Sequence, residues 1–162
     1  MAELTRLEDK LGEVMGLAMA AKGATAKVAK MVDDEDIVST LERMREEAAE
    51  TERRCEQLAG TREGRKTAIR EKARETRGEA VEMMSTYLGG DAEGLDGLEF
   101  LVMAEAGEVG HWEVLGALGD RAGDAPVCEL VSWALPIQER HLAAVREGAT
   151  TLASREDPNE PA

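Results

Sequence analysis

The feature that most limits the fold is the spacing of the apolar residues. From the start of the chain Leu4, Leu7, Leu11, Val14, Ala18, Ala21, Thr25, Val28 and Val32 recur at alternating intervals of three and four. That rhythm gathers them on one face of an α-helix and would scatter them over both faces of a strand. A helix over about 3–32 is expected. Gly12 and Gly16 lie beside its stripe and mark a place where another helix packs closely. The alternation returns in Ile37, Leu41, Met44, Ala48, Thr51, Cys55 and Leu58. Just before it, the acidic run Asp33, Asp34, Glu35 and Asp36 supplies carboxylates that cap free amides and complement the helix dipole.

Residues 60–90 are of another kind. They begin GTREGRKTAIREKARETRGEA, carry a weak apolar face of Ile69, Ala73, Ala80, Met84 and Tyr87, and close on Gly89 and Gly90. This reads as a charged, largely helical crossover. As helix, residues 65–88 would span about 36 Å, the length of a bundle. A third main helix follows over about 95–119, with Gly119 and Gly123 bracketing a short loop. Asp124 caps the fourth, just ahead of Pro126, and that helix runs to about 151. The final SREDPNEPA has two prolines and no apolar partner.

Aromatic residues are only 2% of the chain, so the core has to be made largely from aliphatic side chains and Met. Ala, Leu and Met are also the types that lose least entropy in a helix. The expected fold is all-α: a four-helix bundle with a long crossover between its second and third main helices. It forms one domain over 1–152, with a disordered tail over 153–162.

The net charge of −14 disfavours nucleic acid and anionic membrane, whose phosphates require a positive footprint, and favours metal cations as partners. Cys55 and Cys128 form neither a CxxC pair nor a disulfide framework and read as reduced thiols. The opening MAELTRLEDK is charged from its third residue, and no apolar run approaches the length of a span. Neither a signal peptide nor a membrane helix is expected, and the cytoplasm is the expected compartment. Abundant small residues and Met suit association between helices, so a homo-oligomer, first of all a dimer, is the expected assembly. GxSxG, HExxH and GxxxxGK[ST] are all missing from the sequence, which leaves no nucleophilic or phosphate-binding motif to assign.

The chemistry lies in the third stripe, which runs Leu98, Leu101, Glu105, Glu108, Trp112 and Leu115. Two carboxylates therefore hold core positions between apolar residues. An unpaired carboxylate in an apolar interior neutralises, finds a partner or binds a metal. His111 follows Glu108 at i+3 and flanks the same face. The fourth stripe passes through Leu130, Ala134, Ile137, Gln138, His141, Val145 and Ala149, so the second histidine also points inward. Antiparallel pairing about the turn at 122–123 sets 105 level with about 140 and 108 level with about 137. Glu105, Glu108, Gln138 and His141 then meet at one depth, with His111 nearly a turn higher. Carboxylate and imidazole donors on facing helices suit iron, manganese or zinc. The same residues also suit a buried network of hydrogen bonds. Pro136 stands one turn before His141, and Gly107 and Gly110 stand beside Glu108 and His111, where they allow either access or close contact.

EAGEVGHWEVLGALGDRAGDAPVCELVSWALPIQERHL resembles the second helical pair of the small, stress-associated bacterial proteins of the ferritin-like superfamily. EAAETERRCEQL is similar to the corresponding segment of their second helix. The resemblance implies a ferritin-like four-helix bundle with a di-iron or di-manganese carboxylate site and a role in oxidative stress or metal handling. It places Glu108 and His111 on the family's Glu-x-x-His, and Glu47 and Glu50 on the acidic positions of the second helix. The candidate ligands are Glu47, Glu105, Glu108, His111 and His141. Gln138 stands where the family has a bridging Glu, and Glu139 points about 100° away from it around the helix. The first helix has no carboxylate on its stripe; Glu8 is the nearest flanking candidate and Glu13 lies further off. The alternative is a metal-free helical bundle acting as an interaction or structural protein.

Overall fold

The computed structural model describes residues 2–162 and is all-α. Its five helices are α1 (Arg6–Ala29), α2 (Glu35–Gly60), α3 (Lys66–Tyr87), α4 (Gly94–Ala122) and α5 (Ala125–Ala153). The starts follow local chemistry. Thr5 and Glu8 form a capping box on α1, Asp34 accepts from the Ile37 amide at 3.0 Å on α2, and Asp124 accepts from the Val127 amide at 3.2 Å on α5. Gly64 and Gly123 take φ of 75° and 64° in the α2–α3 and α4–α5 turns, a backbone region that costs glycine least. α5 runs unbroken through Pro136.

The charged connection is itself a full helix, packed mainly on α1. α1 accepts it through two glycines: a methyl group at Gly16 would collide with the Ala73 carbonyl, and one at Gly12 with the Lys72 side chain. α3 buries only Ala68, Ile69 and Ala73, which explains why its apolar face is faint in the sequence. α1 and α4 are antiparallel, with Gly97 against Val28 at one end and His111 against Lys10 towards the other. α5 lies against both α4 and α2, and α1, α3 and α5 run one way while α2 and α4 run the other.

Two apolar clusters fill the interior, one at each end. The first gathers Leu11, Val14, Cys55, Ile69, Trp112, Leu115 and Val127; the second gathers Val28, Leu41, Met44, Leu98, Leu101 and Val145. Between them lies a polar layer. Salt bridges tie the helix pairs together at both ends. Arg62, after α2, meets Asp124 at 2.7 and 3.0 Å, and Arg155, after α5, lies 2.9 Å from Asp34. The residues beyond Ser154 are exposed, but Arg155 is anchored, so the chain past 153 is held for at least its first turn. No helix among the described residues is long and apolar enough to cross a membrane.

Candidate functional site

The polar layer is where the apolar stripes are interrupted. On α4, Glu105 and Glu108 stand between Leu101 and Trp112 and are 1% and 4% exposed. On α5, Gln138 and His141 stand between Ala134 and Val145 and are equally buried. α2 contributes Thr51, whose hydroxyl donates to the Glu47 carbonyl at 2.9 Å, and Glu47 itself from the flank of the stripe. Glu105, Glu108, His141 and Glu47 are thus drawn into one neighbourhood.

The end of the Gln138 side chain lies 3.0 Å from Oε2 of Glu105 and 3.2 Å from Oε2 of Glu108. If the amide nitrogen points there, it donates to both carboxylates and the amide oxygen meets the donors at its other end, so both ends are satisfied. If the amide oxygen points there, three oxygens face a common point, an arrangement that needs a cation or protons between them. The His141 ring joins this cluster to α2. Its Nε2 is 3.3 Å from Oε1 of Glu47, and its Nδ1 faces Oε2 of Glu105 at 3.8 Å, beyond hydrogen-bond reach. Arg140 pairs with the other oxygen of Glu47.

Burial controls the ionisation of the layer. It pushes the Glu105 carboxyl up to about 8 and Glu108 well above the usual carboxylate range, the second reinforced by the nearby Glu105 charge. Burial also lowers His141, with the Glu47 contact opposing that shift. Without a cation, the carboxyls are therefore held towards their neutral forms.

His111 stands apart from this cluster. Its side chain is 41% exposed against 3% for His141, and its Nδ1 lies 3.2 Å from Oε2 of Glu13 and 3.1 Å from Nζ of Lys10. The carboxylate that α1 presents to α4 is thus Glu13, while Glu8 is engaged in the capping box. Glu50 points away and is paired with Arg53 and Arg54. A methyl group at Gly107 or Gly110 would touch nothing, so close helix contact is not what those glycines serve. Gly107 instead lines a groove of about 440 Å³ between α1, α3 and α4, whose lining includes Glu105, Glu108, Glu13 and His111.

Among the described residues, no three His, Cys, Asp or Glu side chains are grouped closely enough to hold one metal ion. A cation shared by Glu105 and Glu108 would therefore take its third oxygen from Gln138. The sequence places Gln138 at one depth with Glu105, Glu108 and His141 but does not make it a candidate ligand, since it stands where the resemblance expects a Glu. The signal for it was its place one turn before His141. Comparison with protein-family models, with curated proteins and with solved structures returns no match.

Proposed function

We propose that this is a ferritin-like helical bundle that binds a divalent transition-metal cation, iron or manganese, at the polar layer. The observation that carries the reading is the meeting of Gln138 with Oε2 of both Glu105 and Glu108 at 3.0 and 3.2 Å. Such separations match neighbouring ligand oxygens around one small hard cation. With the amide oxygen inward, Glu105, Glu108 and Gln138 supply three donors, and Nδ1 of His141 stands on the same side as Glu105. Glu47 then accepts from Nε2–H of His141 and fixes the ring, the role a carboxylate commonly plays behind a metal-bound imidazole. His111 lies outside this set, at the groove, paired with Glu13.

The helix directions support the ferritin-like reading. α1 and α2 form one antiparallel pair, α4 and α5 another, and α3 returns the chain between them. A metal held there would supply a Lewis-acid or redox centre for metal handling or for reaction with oxygen or peroxide. The protein's own part is to hold two carboxylates ionised in a dry interior, to orient His141 through Glu47, and to leave one side towards the groove.

A second reading has its own observation. With the amide nitrogen inward, Gln138 satisfies both carboxyls and the layer is a closed hydrogen-bond network in a metal-free interaction or structural protein. One experiment separates the two. Protein purified from iron- and manganese-replete cells is assayed for metal, then stripped and titrated with Mn(II) while thermal unfolding is followed. Bound metal, a rise in melting temperature, and loss of both in Glu108→Gln support the cation site. Less than about a tenth of an equivalent of metal with no thermal shift leaves the network as the function of the layer.

A further inference from the structure

The groove between α1, α3 and α4 changes character along its length. Glu13, Lys72 and His111 line one end, and Met83, Met84 and Phe100 line the other. On α1 those ends correspond to Glu13 and Ala24, about 16 Å apart at 1.5 Å per residue. Glu105 and Glu108 fall between them, since α4 runs antiparallel from Gly97 beside Val28 to His111 beside Glu13. Both carboxylates are more than nine-tenths buried and both line the groove.

Two properties narrow what such a groove accepts. Its walls are mostly small or apolar, and at its rim Val81 and Met83 from α3 and Met103 from α4 are 38%, 52% and 40% exposed. Flexible thioether side chains there adapt to an apolar guest. The acidic groups along it, Glu13, Glu79, Glu105 and Glu108, outnumber its one lysine, Lys72, on a chain whose net charge is already −14. An anionic guest is repelled. A neutral chain offers no counter-charge to that acidic lining.

We propose that this groove binds an alkylammonium, a primary amine on an aliphatic chain of medium length. The ammonium sits against Glu105 and Glu108, and the chain lies along Leu17, Ala20, Met84 and Phe100. An ammonium brings three donors and no acceptor, which matches the carboxylate oxygens of Glu105 and Glu108 that line the groove. The ammonium and a metal cation address the same oxygens and therefore compete, although neither requires the other.

The test is calorimetric titration of the metal-stripped protein with octylammonium, set against octanol, octanoate and methylammonium. Octylammonium is expected to bind at least about tenfold more tightly than any of the three, and Glu108→Gln is expected to remove that advantage. Gly107→Leu fills the groove from a position where an added Cβ meets nothing. It should abolish octylammonium binding while the protein stays folded and still takes up Mn(II). Equal binding of octanol or octanoate, no binding of octylammonium, or unchanged binding in Gly107→Leu overturns the proposal. Retained Mn(II) uptake in that event leaves the metal reading standing, and octylammonium binding without Mn(II) uptake removes the metal reading alone.

Discussion

Two neighbouring layers of α4 are built from opposite materials. The Trp112 layer, shared with Leu11, Val14, Leu115 and Val127, is built from apolar side chains; the Glu105 layer, about two helical turns away, holds two carboxyls, an amide and an imidazole at equal burial. The first contains one buried polar atom without a partner among the described residues, the indole Nε1 of Trp112. The second is a place where burial has been imposed on groups that resist it, and its stability depends on what else is present. The teaching is that equal burial does not mean equal contribution.

Truncation in the Trp112 layer tests the difference most directly. Leu115→Ala should cost about 3 kcal/mol, lost contacts and a cavity together, measured by denaturant unfolding. Replacing both Glu105 and Glu108 by Leu should cost far less in metal-free protein and can stabilise it, because two buried acids are exchanged for apolar bulk. A large loss in that double variant would show that the polar layer holds the fold together.

An effect of comparable size, about 3–5 kcal/mol, should appear with pH in metal-free protein. Glu105 has a folded value of about 8, above its ordinary 4.5, so the folded state grips the proton more tightly than the unfolded chain. Its contribution is fully present below about 4.5 and is lost as pH rises through 8. The difference in stability between the parent and Glu105→Gln isolates this from groups of opposite sign such as Asp124, which Arg62 holds low. The parent should lose ground to the variant between those limits, and Mn(II) should reverse the trend. A difference that stays flat over the whole window would mean that Glu105 is not held protonated.

Gln138→Leu should cost about 1.5 kcal/mol in chelator if its amide donates to both carboxyls. If the amide oxygen faces inward instead, the same change costs little without metal and weakens Mn(II) uptake. The smallest effect belongs outside both layers. Gly110→Ala adds a methyl group that meets nothing and should stabilise α4 by about 0.5–1 kcal/mol, visible as a modest rise in melting temperature.

Much of this was legible in the spacing of residues. The three-four alternation located α1, α2, α4 and α5 to within a few residues, and the antiparallel pairing about 122–123 placed His141 beside Glu105, where it stands. The reason is that burial along a helix is periodic, so a polar residue on an apolar stripe has only one direction to face. α3 shows in the sequence only as a largely helical connection because it docks with small residues onto Gly12 and Gly16, and small contact surfaces leave little hydrophobic signal. Flank positions were harder still. His111 and Glu13 are both one step off their stripes, and they were drawn to each other and to Lys10 across two helices, a choice that no single helix encodes. Gln138 was visible as an inward residue, but its contact with both carboxylates depends on the relative height of α4 and α5 to within an ångström.

The paired salt bridges at the ends of the bundle have a mechanical consequence. Asp34 and Asp124 each cap a helix and at the same time clasp an arginine from another part of the chain, one at each pole. The molecule is fastened top and bottom, and at its waist Glu47 clasps Arg140 and His141 across α2 and α5, so the side of the polar layer that faces a guest is the groove between α1, α3 and α4.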